Sequence, residues 1–351
     1  MTESTRPAPH ALIELGGGLY LWDTHAPAGT WGNANCLLIA DGEEAGLVDT
    51  PYDAPLTEAL KSACAKVLPS GVAITTVINT HPNGDHCFGN GQFEDAEIFS
   101  SEANADHICL EPDPEAMHWL IHGLPESDPL RWFARERFGR YQFAGITVKE
   151  PTRTFSGFHT LTIGGLHARL IEVGPAHTPG DIIVHIPERG VVAAGDVIFN
   201  GDHPCHWIGP LENVIEAVKA ILVMEPVTVV PGHGRAMTVA DGGVHAYLDY
   251  LRELADRIRE QHVQGRTAYD AARAILDTGF YSHLGAPERV VILTAVEFAH
   301  LDGTKPPGTV DLARQAARWA YERHTEIPGP RTDDEPSDSR PDSHSSVAEN
   351  P

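Results

Sequence analysis

The chain has 351 residues, 42% of them hydrophobic, which is ample material for a buried core. Its formal net charge of −24 at pH 7 argues against nucleic-acid partners, whose binding relies on Lys and Arg neutralising phosphates, and against adhesion to an anionic membrane surface. A membrane span is not expected either, because no apolar run approaches the ~20 residues that cross a bilayer.

The first part of the chain predicts alternating strands and helices. Residues 1–10 are polar and proline-bearing, and we expect a flexible N-terminus there. Short apolar runs at 19–22, 36–39 and 45–48 predict strands. Apolar residues at helical spacing predict a helix over 54–67. This succession is typical of a layered α/β domain.

A polar stretch at 80–86, Thr-His-Pro-Asn-Gly-Asp-His, follows a β-branched run and is the first candidate site. Alternate residues of an extended chain project to the same side, so His81, Asn83 and Asp85 can converge. His86 would turn in as the chain bends. Neutral imidazole and carboxylate are the usual ligands of an ion such as Zn²⁺. The alternative interpretation is a polar loop with surface histidines.

Three later stretches each place one ligand-type side chain next to a predicted buried strand. His177 stands in a turn rich in Gly and Pro, Asp196 ends one apolar run, and His233 ends another. Loops at strand ends are where α/β folds build sites, because the sheet holds them still while they converge. We therefore expect these three residues to meet the first stretch.

With this series of motifs the chain resembles the metallo-β-lactamase-fold hydrolases, whose pattern is H-x-H-x-D-H, a single His, a bridging Asp and a final His. The resemblance covers roughly residues 12–235 and implies an αββα sandwich, an α/β fold, with the metal at one rim. It also implies that Asp49 supports the metal loop from behind the ligands. The ligands it implies are His81, Asn83 and His177 for site one, Asp85, His86 and His233 for site two, and Asp196 shared between them.

Asn83 departs from the pattern of this family, which usually has a second histidine there. An amide oxygen is a weaker and harder ligand than imidazole for this class of ion. The expected cofactor is therefore Zn²⁺ as one or two ions, with iron and manganese as alternatives, and a mononuclear enzyme centred on site two is one of the open interpretations.

The rest of the chain divides by composition. We assign residues 11–238 to the metallo-β-lactamase-like domain, with a variable helical insertion at 102–142 that covers the site. Residues 239–324 predict a helical C-terminal extension, either a homodimer surface or a lid. Residues 325–351 are mostly Pro, Ser, Asp and Glu, and predict a disordered acidic tail.

The loop that follows Asp196 contains His203, His206 and Trp207. These side chains could line the substrate pocket, and one histidine could deliver a proton. The alternative is a structural loop with exposed histidines.

Five cysteines lie far apart and form neither a disulfide framework nor a CxxC metal knuckle. The first residues lack the basic segment and apolar core of a signal peptide, so we expect a cytoplasmic protein. Cys87 adjoins a candidate ligand, but its neighbours predict a small buried side chain.

The expected chemistry is metal-dependent hydrolysis of an acyl carbonyl in a thioester, lactone or ester. Metal coordination lowers the pKa of bound water from 15.7 to about 7, so the attacking group would be a metal-bound hydroxide oriented by Asp85 or Asp196. The substrate could be a small molecule or an acyl group on a carrier protein. The alternatives are an aromatic polyketide cyclase or thioesterase of the same fold, and a non-catalytic binding protein with a degenerate metal site.

Overall fold

The computed structural model describes residues 11–23 and 26–326. The predicted flexible N-terminus, 1–10, lies outside the described residues. The predicted acidic tail also lies outside them from residue 327 onward, while residues 325–326 continue the last helix.

The described residues form two sheets. The first sheet has seven strands arranged in chain order; its first four strands pair antiparallel and the remaining pairs are parallel. Its strands are β1 Ala11–Gly16, β2 Leu19–Asp23, β3 Cys36–Asp41, β4 Glu44–Val48, β5 Ile74–Ile78, β6 Glu97–Ser101 and β7 Arg153–Phe155.

The second sheet has six strands in the order β13-β12-β11-β10-β9-β8, antiparallel except for the β11–β12 pair. Its strands are β8 Phe158–Ile163, β9 Leu166–Glu172, β10 Ile182–Ile186, β11 Val191–Phe199, β12 Thr228–His233 and β13 Met237–Thr238.

Helices cover the sheets and fill the insertion and the C-terminal region. They are α1 Ala54–Val67, α2 Gly84–Cys87, α3 Glu102–His107, α4 Pro114–His122, α5 Pro129–Phe138, α6 Leu211–Val223, α7 Gly243–Val263, α8 Ala268–Asp277, α9 Arg289–Leu301 and α10 Thr309–Glu326. Local chemistry starts several of them: Asp53 caps α1 by accepting from the amide of Leu56 at 3.0 Å, and a proline follows it in the first turn. None of the helices in the described ranges is both long and apolar enough to cross a bilayer.

The core has the layers of an αββα sandwich. Alternate residues of both sheets, such as Leu21, Ile39 and Val184, are buried between the sheets. On the outer face of the first sheet, α1 packs Leu60 against the sheet. The outer face of the second sheet is covered by α6 together with α7, whose Leu251 belongs to the same apolar cluster. The predicted fold class is therefore confirmed, and the first helix of the C-terminal region belongs to the sandwich itself.

The remaining C-terminal helices join this region to the insertion. The helix α9 packs against α7, α8 and α10, and α10 packs against α5. An ion pair between Arg314 and Asp128, with 3.3 Å between nitrogen and oxygen, and a ring contact between Trp132 and Tyr321 connect α10 with α5. The insertion and the extension thus form one helical cover beside the sheets.

Candidate metal centre

The polar stretch after β5 bends earlier than an extended chain would. Asn83 is still extended, with φ −65° and ψ 145°, but α2 begins at Gly84, so Asp85 and His86 lie in a helical turn. The alternation argument therefore applies to His81 and Asn83 and not to Asp85. The turn is what brings the Asp85 carboxylate and the His86 imidazole to the same side.

Donor atoms of site two lie at distances that suit a tetrahedral ion. Oδ2 of Asp85 is 3.4 Å from Nε2 of His233 and 4.0 Å from Nε2 of His86. Asp196 lies 3.2 Å from His86 through Oδ1 and 3.3 Å from His233 through Oδ2. Ligands at the usual zinc distances are about 3.4 Å from one another in a tetrahedral site. These four side chains are therefore candidate ligands of a small divalent cation.

Site one is less regular. Oδ2 of Asp196 is 3.9 Å from Nε2 of His81 and 3.5 Å from Nε2 of His177. The amide oxygen of Asn83, however, is only 2.6 Å from Nε2 of His177, which is a hydrogen-bond distance. The structure brings all four side chains together, but two of the donors contact each other.

Several of these donor atoms are buried and unpaired. Nε2 of His81, Nε2 of His86 and Oδ1 of Asp196 make no hydrogen bond to any atom of the described residues. Leaving buried polar atoms without partners is costly, and a cation among them would remove that cost. The donor set and these unpaired atoms together fit the divalent metal that the fold implies.

Each histidine of the cluster is oriented by a hydrogen bond from its other ring nitrogen. The acceptor behind His81 is Oγ1 of Thr80, which itself donates to Asp49, so Nδ1 of His81 carries the proton and Nε2 keeps a lone pair for the centre. The four Nδ1 acceptors are Thr80 Oγ1 at 2.9 Å for His81, Asp49 Oδ2 at 2.8 Å for His86, the Cys205 carbonyl for His177, and the Asn33 carbonyl at 3.1 Å for His233.

Asp49 lies next to the candidate ligand His86 and to Thr80. Its carboxylate accepts from the amide of Thr80 at 2.7 Å and from the hydroxyl of Thr80 at 2.8 Å, as well as from His86. Burial raises the pKa of the Asp49 carboxyl, and its contacts with His86 and Thr80 only partly oppose this. Asp49 therefore ties the strand end to the first helical turn of the site.

The charges within the cluster act differently on its members. Burial lowers the pKa of His86, but the carboxylates of Asp196, Asp49 and Asp85 outweigh it and raise that pKa well above its ordinary value. Burial and the neighbouring His86 lower the pKa of His81 well below its ordinary value, which keeps the ring in the neutral form that binds metals. Burial raises the pKa of Asp196, but His233, His86 and His177 outweigh it and hold that pKa well below the usual range. Asp196 is therefore ionised between the imidazoles.

Two glycines allow the backbone to approach the cluster closely. A Cβ atom on Gly232 would stand 1.8 Å from Oδ1 of Asp196, so only glycine fits there. Gly195 has φ +51°, and a Cβ on it would stand 2.7 Å from Oγ1 of Thr80. Each glycine directly precedes a candidate ligand in the sequence. The atoms that leave no room for a Cβ, however, belong to residues far away in the chain.

A cavity opens from the cluster, with an empty volume of about 920 Å³ including the part open to solvent. Asn83, Asp85, His177, Asp196 and His233 line one end of it. The remaining lining is mostly apolar: Trp31, Tyr52, Met117, Leu120, Leu130, Phe133, Ala134, Phe138, Phe199, Cys205, Trp207, Val310 and Ala313, with Gly32, Gly84, Glu111, Pro112, Arg289 and Thr309.

The three residues of the loop after Asp196 take different places. Trp207 lines the cavity, whereas His203 and His206 are not among the described residues that line it. Nδ1 of His203 is 2.7 Å from the hydroxyl of Tyr250, and the His206 ring is buried 5.9 Å from the His177 ring. Both histidines are buried rather than exposed, and a role for either in the substrate pocket stays a prediction.

Sequence reasoning missed several residues that shape the site. Thr80 directly precedes His81, so its hydroxyl could have been noticed. The carbonyls of Asn33 and Cys205 leave no signal in a sequence, because every residue has one. Trp31 and Arg289 line the cavity from distant parts of the chain.

Comparisons with known proteins agree with this geometry. The family model of the metallo-beta-lactamase superfamily matches residues 29–233. The chain is 26% identical over 165 residues to the acyl-coenzyme A thioesterase MBLAC2 of Bos taurus and of Homo sapiens; these matches cover 44% of this chain and 54% of those proteins. The chain thus spans about half the length of these relatives. The Gallus gallus protein of the same name is 26% identical over 235 residues, 60% of this chain and 80% of that protein.

Solved structures share the fold at low sequence identity. A metallo-beta-lactamase family protein from Thermus thermophilus has a TM-score of 0.57 at 22% identity, covering 82% of this chain and 94% of that one. A beta-lactamase domain protein from Burkholderia ambifaria has a TM-score of 0.60 at 18% identity, covering 85% and 91%. A double mutant of the sec-alkyl sulfatase PisA1 has a TM-score of 0.60 at 16% identity, covering 81% and 49%.

Proposed function

The chain belongs to the metallo-beta-lactamase superfamily, and from this premise we propose that it is a metal-dependent hydrolase of acyl thioesters, with lactones and esters as further substrates. One observation carries the proposal: the cluster of imidazole and carboxylate donors lies at the end of a largely apolar cavity. Such a cavity suits an apolar acyl group whose carbonyl reaches the cluster. The similarity to acyl-coenzyme A thioesterases favours thioesters among the acyl compounds.

Zinc is the proposed cofactor, held by Asp85, His86, His233 and Asp196 at site two and by His81, Asn83, His177 and Asp196 at site one. When bound, a divalent cation lowers the pKa of a water molecule to about 7 and polarises a carbonyl oxygen. Asp85 lines the cavity and its side chain is 15% exposed, so its carboxylate can accept a hydrogen bond from the attacking water. Asp196 is 6% exposed and acts mainly by holding the imidazoles in place.

A reducing cytoplasm is the proposed compartment. All five cysteines are free thiols, four of them buried, and Cys87 donates to the carbonyl of Pro82 instead of facing the donor cluster. The substrate is proposed to be a small acyl thioester or an acyl group on a carrier protein.

A second candidate is ring closure on an aromatic polyketide thioester. The aromatic side chains of Trp31, Phe133, Phe138 and Trp207 in the cavity lining favour it, because flat substrates stack on such rings. Product analysis separates the two candidates: hydrolysis of a simple acyl thioester releases a free acid and a thiol, with no new carbon–carbon bond.

The test is metal analysis of protein purified without chelator, followed by turnover of acyl-CoA, lactone and ester panels. We expect one or two zinc ions per chain and thioester turnover. Asp85→Ala and His233→Ala should each lower kcat/KM by more than the roughly 100-fold that loss of an outer-shell partner costs. Asp95→Ala and His245→Ala are matched controls at exposed positions and should leave kcat/KM unchanged.

Two results would contradict the proposal. Metal-loaded protein with no turnover on any of the three panels would remove the enzymatic function and favour a binding protein. Full activity of a folded Asp85→Ala or His233→Ala variant would remove that residue from the site.

A further inference from the structure

The cavity beside the donor cluster changes character along its length. At one end it is lined by the acidic and imidazole side chains of the cluster, and at the other by apolar residues of α5 and the first turn of α10. Phe199, Phe133 and Cys205, which all line the cavity, are each nearly fully buried. A polar end joined to an apolar end matches a molecule with a reactive carbonyl and an apolar tail.

A series of aromatic contacts leads from the cluster towards α5. The ring of Phe199 stacks on His233 with centroids 5.3 Å apart. The Arg289 guanidinium lies 5.1 Å from the Phe199 ring and 4.4 Å from the Trp31 ring. Trp31 in turn contacts Phe133 edge-on at 5.8 Å. These side chains form one wall of the cavity, and α5 lies at its far end.

Arg289 does not turn this wall into an anion site. Its Nη1 donates to the carbonyl of His203 at 3.1 Å and lies 3.8 Å from Oδ2 of Asp202. Its charge is therefore matched by a buried carboxylate, and its flat guanidinium serves as a stacking surface between two rings.

Small residues of both helices line this part of the cavity. On α5, Ala134 shares a helix face with Leu130 and Phe138, which are four residues away on either side, and it is buried. On α10, Ala313 is partly buried and lines the same cavity. Longer side chains at these two positions would project into the space between the helices.

We propose that this cavity binds the apolar acyl chain of the substrate, and that Ala134 and Ala313 set the longest chain it accepts. The inference rests on the proposed thioester hydrolysis for the identity of the substrate, but binding of an apolar tail does not depend on turnover. The polar thiol part of a thioester has no matching surface at the apolar end, so the acyl part occupies it.

Chain length should control both binding and turnover. Each methylene transferred from water into the cavity strengthens binding by up to about fourfold, the equivalent of about 0.8 kcal/mol. The gain should stop when the chain reaches Ala134 and Ala313. Replacing either by Leu adds about three carbons at the far end and should move the best substrate to chains shorter by about three carbons.

The experiment measures two quantities on zinc-loaded, full-length protein. One is kcat/KM for the acyl-CoA series from acetyl to palmitoyl. The other is the Kd, by calorimetry, for unhydrolysable methyl ketones from 2-heptanone to 2-pentadecanone. The variants are Ala134→Leu, Ala313→Leu and, to lengthen the cavity, Leu130→Ala. Ala59→Leu makes the same change at an exposed position of α1 and is the matched control. Circular dichroism identifies any variant that fails to fold, and Ala313→Leu, at the less buried position, then carries the test.

The expected result is a chain-length optimum in both series that shortens in the two Leu variants, lengthens in Leu130→Ala and stays in place in the control. Ketone binding that follows this pattern without thioester turnover would keep the acyl cavity and overturn the proposed hydrolysis. Thioester turnover with a flat chain-length profile, unchanged in the variants, would overturn the cavity and keep the hydrolysis. In S-alkyl thioacetates the alkyl chain is on the thiol side of the thioester. If lengthening that chain raises kcat/KM as much as lengthening the acyl chain does, the assignment of the acyl chain to the cavity is overturned.

Discussion

At the scale of single residues, Asn83 lies against His177, another of the candidate ligands of site one. Nδ1 of His177 donates to the Cys205 carbonyl, so Nε2 is the ring nitrogen that faces the Asn83 amide, 2.6 Å away. A rotated amide presents its NH₂ group to the lone pair of Nε2. This contact uses the lone pair that site one requires, so metal binding there competes with it.

Replacing this amide by an imidazole should strengthen site one. In Asn83→His, a ring nitrogen takes the place of the amide oxygen and is the better ligand for zinc. We expect the second zinc equivalent to bind about tenfold more tightly, as judged by competition with a chromophoric chelator. Asn83→Leu replaces the amide by an apolar group of similar volume, and it should weaken binding of the second zinc equivalent. An unchanged second equivalent in Asn83→His would contradict the assignment of residue 83.

His203 should make stability depend on pH. Burial, Arg289 and His283 lower the pKa of His203 to about 4, against an ordinary value of 6.5. A depressed histidine pKa means that the unfolded chain takes up the proton first, so stability is fully present above pH 6.5 and is lost as pH falls towards 4.

The loss assigned to His203 at pH 5 is about 2 kcal/mol of the free energy of unfolding. His203→Gln keeps a polar partner for Tyr250 and does not titrate. The free energy of unfolding, measured with urea, should fall between pH 7 and pH 5 in both proteins. The fall should be smaller in His203→Gln than in the parent, by about 2 kcal/mol. His245→Gln, on the exposed side of α7, should fall as the parent does. Equal losses in His203→Gln and the parent would show that His203 is not the group responsible.

At the scale of elements, α9 positions the loop that carries one side of the site. Arg289, the first residue of α9, donates to the carbonyl of His203. Farther along, Glu297 accepts from the amide of Leu211 at 2.9 Å, which fixes the start of α6. Between these points lies Cys205, whose carbonyl orients His177. A helix outside the matched family region thus positions His177, a candidate ligand, through the backbone of a loop.

Loss of this support should weaken metal binding without touching a ligand. Arg289→Met removes the donor to His203, and we expect the affinity for the zinc ion bound by His177 to fall about tenfold. Arg289→Lys keeps the charge beside Asp202, and its zinc affinity should lie between those of the parent and Arg289→Met. The measurement is zinc competition alongside thermal unfolding, because an unpaired Asp202 also destabilises the fold. A folded Arg289→Met variant with parental zinc affinity would exclude this positioning role.

At the scale of the whole molecule, the donor cluster joins parts of the chain that are far apart. His81 and Asp85 follow the first sheet, while Asp196 and His233 belong to strands of the second. Without a cation, ionised and unpaired groups are buried where the sheets meet. A bound ion should therefore stabilise the entire sandwich rather than one loop.

Chelation should accordingly lower the melting temperature. At a free zinc concentration of 100 times Kd, binding contributes about 2.7 kcal/mol, which corresponds to about 4 °C for a chain of this size. Calorimetric scans with zinc and with excess chelator measure the difference. In His233→Ala the difference should shrink strongly, whereas in His245→Ala it should remain. A melting temperature that does not respond to chelator in the parent would contradict a metal at the junction of the sheets.

The sequence by itself determined the fold class and the order of the ligand-type residues. Periodicity located the strands and helices, since burial of one face leaves a local repeat, and the imidazoles and carboxylates stood where apolar runs end. Only the tertiary structure decided that distant carbonyls orient His177 and His233, that His203 and His206 are buried, and that α10 meets α5 beside the site. These features depend on contacts between segments separated by up to 200 residues, such as His233 with Asn33, and no local pattern encodes such contacts.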